Sequence, residues 1–92
     1  MNTELVKKIK DIVGRGLEKS DLDSISINED LIPMGLSSIT FVSVVVAVEE
    51  EFQITISNEN LVLSKMNTIN KMASVIDFEI SKKMENQTSA TI

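Results

Sequence analysis

From Thr3 to Leu17 the apolar residues Leu5, Val6, Ile9, Ile12, Val13 and Leu17 recur at spacings of three and four, with mostly charged residues between them. This period predicts an amphipathic helix, with Thr3 available as its N-cap and Glu4 and Lys8 placed as an i,i+4 pair. Gly14 and Gly16 weaken its last turn. The pattern then breaks. Ser20 to Asp30 is rich in Ser and Asp, with Leu22, Ile25 and Ile27 isolated among them, and predicts a long ordered loop that continues to Pro33 and Gly35. Loops beyond about 12 to 15 residues are uncommon in small domains and are often functional. The three aliphatics give this one a means of lying on a core.

Ser38 to Phe52 carries two conflicting signals. Ile39, Thr40 and five valines favour a strand, and Val42, Val44, Val46 and Val48 alternate. Against that, no turn residue interrupts the run, Ser37 is a good N-cap, and Leu36 and Phe41 occupy the N′ and N4 positions of a hydrophobic staple. Length and capping predict a helix. At about 100° per residue, Phe41, Val44, Val45, Val48 and Phe52 form one stripe, while Ile39, Val42 and Val46 fall on roughly the opposite side. One stripe must be core in a chain of this size. The second is either buried by another element or left available to a partner.

Gln53 to Ser57 leads into Asn58 to Lys65, which has room for one or two helical turns carrying Leu61, Val62 and Leu63. Asn67 or Thr68 then caps a further helix, in which Ile69, Met72, Ile76, Ile80 and Met84 keep to one face and Lys82 and Lys83 suit the C-terminal dipole. The expected fold is all-α: a small four-helix bundle of three main helices and one short one, with a long loop between the first two. One domain spans 1–85, followed by a disordered tail at 86–92.

Composition narrows the chemistry. The 92 residues contain neither Cys nor His, which removes disulfides, thiolate nucleophiles, most zinc sites and the commonest general base, so no metal site and no enzyme are expected. The longest wholly apolar run, Val44 to Val48, is far short of the roughly 20 residues that span a bilayer, and Glu4 stands where a signal segment would be apolar. The expected location is the cytoplasm. A net charge of −5 argues against nucleic acid and anionic membranes as partners.

Candidate chemistry centres on Asp30-Leu-Ile-Pro-Met-Gly-Leu-Ser-Ser-Ile-Thr-Phe, with Glu49-Glu-Glu-Phe closing the helix that follows. A Ser at a helix start presents its hydroxyl to solvent, where the first-turn N–H groups and the helix dipole favour an attached anion. The segment resembles the acyl and peptidyl carrier protein family, whose loop ends in Leu-Gly-x-Asp-Ser-Leu and whose second helix often closes with Glu-Glu-x-Phe. Met34 and Gly35 match Leu-Gly, Ser38 matches the modified Ser, and Ile39 matches the Leu; the spacing to Phe52 agrees without a gap. The resemblance covers about residues 3 to 84. It implies a covalent 4′-phosphopantetheine on Ser38, transferred from coenzyme A by a separate phosphopantetheinyl transferase. Ser37 departs from the family's Asp, keeping the capping chemistry without its charge.

The implied function is to hold acyl or aminoacyl groups as thioesters on the arm, as a monomer visited by a loading enzyme and by downstream biosynthetic enzymes. Ile39, Val42 and Val46, with Glu49 and Glu50 at their rim, are the candidate docking residues. Fatty-acid carriers of the family commonly have acidic residues where Thr40 and Ser43 stand here. The resemblance therefore points to a discrete carrier of polyketide or nonribosomal peptide assembly. The competing reading is a helical interaction module of the same fold that is never modified.

Overall fold

The computed structural model describes residues 3–19 and 22–90. Three helices account for most of them: α1 (Thr3–Leu17), α2 (Ser38–Phe52) and α3 (Ile69–Ala90). Short 3-10 turns at Leu22–Ser24, Ile32–Met34, Asn58–Asn60 and Leu63–Lys65 punctuate the two connections. The short fourth helix expected between α2 and α3 is thus a pair of 3-10 turns, each closed by its own backbone bonds. Among the described residues there is no strand.

Helix α1 packs against both α2 and α3. Leu5, Ile9, Ile12 and Val13 supply its buried face, as the period of three and four requires. Its two glycines have a role beyond weakening the last turn. A Cβ on Gly16 would lie 2.8 Å from the Val44 Cγ2 of α2, so the helices meet where that side chain is missing. At Gly14 a Cβ would lie 2.8 Å from the Lys19 carbonyl oxygen, because the chain folds back there. The Lys19 N–H donates to the Gly14 carbonyl at 2.8 Å and the Glu18 N–H to that of Arg15 at 3.3 Å, with Glu18 left-handed at φ 57°. This is a Schellman closure achieved without glycine at the left-handed position. Thr3, expected as the cap, is itself helical and is the first residue described.

In α2, Phe41, Val44, Val45 and Val48 are buried, so the valines form one face of a helix and not a strand. Leu36 and Phe41 are both buried in the core, as a hydrophobic staple requires. The helix ends at Gln53, left-handed at φ 55°, whose N–H bonds the Glu49 carbonyl.

The long connection lies down on the core through Leu22, Leu31 and Leu36, with Ile25 and Ile27 partly buried. Backbone bonds fasten it to the start of α3: the Leu31 N–H donates to the Asn67 carbonyl and the Asn70 N–H to the Ile27 carbonyl, both at 2.8 Å. The cap of α3 is Thr68, whose hydroxyl accepts the Lys71 N–H at 3.0 Å. Ile69, Met72, Ala73 and Ile76 fill the core beneath it.

Met84 departs from the expected buried face and is exposed. At 22 residues α3 is about 33 Å long against about 22 Å for α1 and α2, and so outruns the helices that could cover it. Helix α3 is described to Ala90; residues 91 and 92 of the expected tail lie outside the described ones.

Candidate functional site

The approach to α2 is built by backbone turns. After Leu31 the chain makes a 3-10 turn with Pro33 in its first positions, and Gly35 closes it at φ 113°, a left-handed conformation that a Cβ would strain. Asp30 anchors the turn from below. One of its oxygens accepts the Ile32 N–H at 3.1 Å and the Asn67 side-chain amide at 2.9 Å. The Asn67 bond first and the Ile32 N–H second hold the Asp30 carboxyl below its ordinary range against an opposing effect of burial, with the Lys71 charge adding less. The long loop is thereby fixed to α3 a few residues before the two serines.

Ser37 and Ser38 then divide the work. Ser37 is extended at φ −105° and ψ 177°, and its hydroxyl oxygen accepts the Thr40 N–H at 3.4 Å. In return the Thr40 hydroxyl oxygen accepts the Ser37 N–H at 2.7 Å and donates to the Gly35 carbonyl at 2.8 Å. This is a capping box with Thr in place of the usual Glu or Gln. The Ser37 carbonyl takes the Phe41 N–H at 2.8 Å as the first bond of the helix.

Because Ser37 caps, Ser38 is released from that duty. It is the first helical residue, it is exposed, and its hydroxyl makes no hydrogen bond among the described residues. The N–H groups of Ser38 and Ile39 are first-turn donors with no partner within the helix, and no acidic side chain stands in that turn. A phosphodiester on the Ser38 hydroxyl would meet those donors and the positive end of the α2 dipole. The residues present fit the group.

The second stripe of α2 is solvent-facing: Ile39 is 82% exposed, Val42 60% and Val46 47%. Of the two expected rim glutamates, Glu50 is exposed, whereas Glu49 is half-buried and its carboxylate accepts the Ile56 N–H at 3.0 Å. Glu49 thus holds down the chain after α2. Ile32, in the turn before the serines, adds a further exposed aliphatic.

Four residues hold the structure in ways that the reading of the sequence misses, two of them with a signal that could have been found. Thr40 looks like a missing acidic residue, yet its spacing from Ser37 is that of a capping box. The bonding of Asn67 and Asn70 to the loop leaves no pattern in the sequence. Glu79 does leave one, since it falls on the buried face of α3 next to Ile76. Only 4% exposed, it accepts the Ser57 N–H at 3.0 Å and the Ser57 hydroxyl at 2.8 Å, with Lys82 at 3.5 Å. Burial pushes its carboxyl up, but the Ser57 hydroxyl, the Ser57 N–H and Lys82 together outweigh it and hold the carboxyl below its ordinary range.

Comparison with curated proteins returns no match. A family model described as the phosphopantetheine attachment site matches residues 5–76, from the first buried residue of α1 to the middle of α3. With that match over most of its length, on an all-helical carrier fold, the chain belongs to the phosphopantetheine attachment-site family of acyl and peptidyl carrier proteins, the site of covalent 4′-phosphopantetheine attachment.

Proposed function

We propose that Ser38 is the attachment residue and that the protein is a non-enzymatic carrier in polyketide or nonribosomal peptide type biosynthesis. The observation that carries this is the exposed, uncommitted Ser38 hydroxyl at the first position of α2, beside a serine that does the capping. In the transfer, the Ser38 oxygen bonds to the pantetheine-bearing phosphorus of coenzyme A, the adenosine bisphosphate portion leaves, and the transferase takes the hydroxyl proton. Once attached, the arm supplies the thiol on which acyl or aminoacyl groups are held as thioesters. The chain itself has no Cys to do so. Its own residues hold the arm at a rigid helix start, and tethering gives each enzyme in turn a high effective concentration of cargo.

The partners in this reading are a phosphopantetheinyl transferase, a loading enzyme for acyl or aminoacyl groups, and the enzymes that use the loaded arm. Ile39, Val42, Val46 and Glu50 form the docking face; Glu49 contributes at its rim only with the oxygen that Ile56 leaves free. The carrier works as a cytoplasmic monomer, without nucleic acid or membrane, in keeping with its net charge of −5. No helix among the described residues is long and apolar enough to cross a membrane. Neutral Thr40 and Ser43 favour polyketide or peptide assembly over fatty-acid synthesis.

The test is incubation with coenzyme A and a broad-specificity phosphopantetheinyl transferase, followed by peptide mapping. A gain of one arm on the peptide containing Ser38 is the expected result. No gain, or an arm on another residue, refutes the assignment.

A further inference from the structure

Because the Ser38 hydroxyl makes no bond of its own among the described residues, its place is set by the backbone on either side of it. After Ser38 that backbone is helix. Before it stands Gly35, left-handed at φ 113° and the residue of the approach with the widest conformational freedom. The peptide that joins Gly35 to Leu36 is held at both ends: the Leu36 N–H donates to the Leu31 carbonyl at 3.1 Å, and the Gly35 carbonyl accepts the Thr40 hydroxyl at 2.8 Å. The same hydroxyl oxygen accepts the Ser37 N–H at 2.7 Å. One side chain of α2 therefore fixes both residues that flank the buried Leu36, immediately before Ser38.

Only a hydroxyl can do this in the observed way. It has one hydrogen to give and two lone pairs. The hydrogen of Thr40 goes to the Gly35 carbonyl, since the Ser37 carbonyl is farther, at 3.3 Å, and already takes the Phe41 N–H. The lone pairs are left for the Ser37 N–H at 2.7 Å and the Ser37 hydroxyl at 3.3 Å. A carboxylate, which commonly fills this position of a capping box, accepts the N–H as well but brings no donor to Gly35. The bridge to Gly35 is thus separable from the cap.

We propose that Thr40 is the positioning residue for transfer to Ser38: by bridging the Gly35 carbonyl and the Ser37 N–H, it holds the Ser38 hydroxyl in place for attack on the phosphorus of coenzyme A. The proposal rests on Ser38 being the modified residue. Phosphoryl transfer needs the attacking oxygen in line with the leaving one, so a turn that wanders loses rate in proportion to the time spent misplaced. Thr40 is half-buried and lies outside the exposed stripe of Ile39, Val42 and Val46, so the loss falls on the transfer step and not on binding.

The test is single-turnover transfer from coenzyme A to the full chain, with a broad-specificity phosphopantetheinyl transferase in excess and intact mass as the readout. Five proteins are compared: the wild type, Thr40→Val, Thr40→Ser, Thr40→Glu and Ser37→Ala. Val has the shape of Thr and loses both bonds, Ser restores both, and Glu keeps the cap without the bridge. Ser37→Ala loses the cap and keeps the bridge. Circular dichroism melts place the assay temperature below the transition of every variant. The saturated rate should fall about three- to tenfold in Thr40→Val and Thr40→Glu, with half-saturation unchanged in Thr40→Val. It should return to the wild-type value in Thr40→Ser and stay there in Ser37→Ala, although that variant also loses stability. A wild-type rate in Thr40→Val or Thr40→Glu overturns the proposal, as does failure of Thr40→Ser to restore it. An equal fall in Ser37→Ala assigns the effect to the stability of the helix end and overturns it too. If the wild type gains no arm on Ser38, the assignment of Ser38 fails and the proposal with it.

Discussion

Adjacent serines with different duties lie at the centre of the site, and the difference follows from one step along the helix. Ser37, just outside the first turn, reaches the Thr40 N–H; Ser38, just inside, has nothing to reach and faces solvent. Ser37→Ala should therefore lower stability by about 0.5 to 2 kcal/mol in urea denaturation while leaving the Ser38 hydroxyl in place. A second residue-scale prediction concerns Glu79. Its carboxyl is held below the ordinary glutamate value, so it loses its proton more readily in the folded chain than in the unfolded one. The resulting stabilisation is present above about pH 4.3 and is lost as pH falls through the lower folded value. Denaturation midpoints measured from neutral to acid pH should fall through that window. Glu79→Gln should cost about 1 to 3 kcal/mol at neutral pH and flatten the acid decline, because the Ser57 and Lys82 partners lose their carboxylate. An equally steep decline in Glu79→Gln would place the acid sensitivity elsewhere.

At the scale of elements, α2 turns a sequence with strand propensity into a helix with two apolar faces of different fate. Val45 and Val48 are buried and Val46 is exposed. Val45→Asp or Val48→Asp should destabilise the protein by more than about 4 kcal/mol, to the point of unfolding, since each puts a charge into a small core. Val46→Asp should melt close to the wild type by circular dichroism, and unfolding as severe as that of Val48→Asp would show the second stripe to be core. The sequence resolves this element because capping and length outweigh valine propensity: Ser37 and the Leu36–Phe41 staple mark its start without any tertiary information. Sequence reading fares less well where tertiary contact decides the role. Gly14 and Gly16 read as weak points in α1, yet each clears space for a neighbour distant in sequence or beyond the turn. Glu49 reads as a surface charge at a helix end, yet it bonds the backbone of Ile56 across the turn that follows.

In the whole molecule, α1 is the common support of α2 and α3, and the long loop is bonded to the start of α3 through Asp30, Leu31, Ile27 and Asn28. Ser38 thus emerges from a scaffold held on one side by α1 and on the other by α3. The loop's aliphatics announce in the sequence that it lies on a core, but its pairing with Asn67 and Asn70 joins residues about 40 positions apart, and no local pattern encodes such a contact. In the proposed function the molecule is a handle: a helix start that offers the Ser38 hydroxyl to a transferase and the exposed stripe of Ile39, Val42 and Val46 to the enzymes that follow. The proposed function turns on the identity of that hydroxyl. Intact mass spectrometry of Ser38→Ala and Ser37→Ala beside the wild type, each incubated with coenzyme A and a broad-specificity transferase, tests it most directly. The wild type and Ser37→Ala should each gain one phosphopantetheine arm and Ser38→Ala none; an arm on Ser38→Ala would contradict the account.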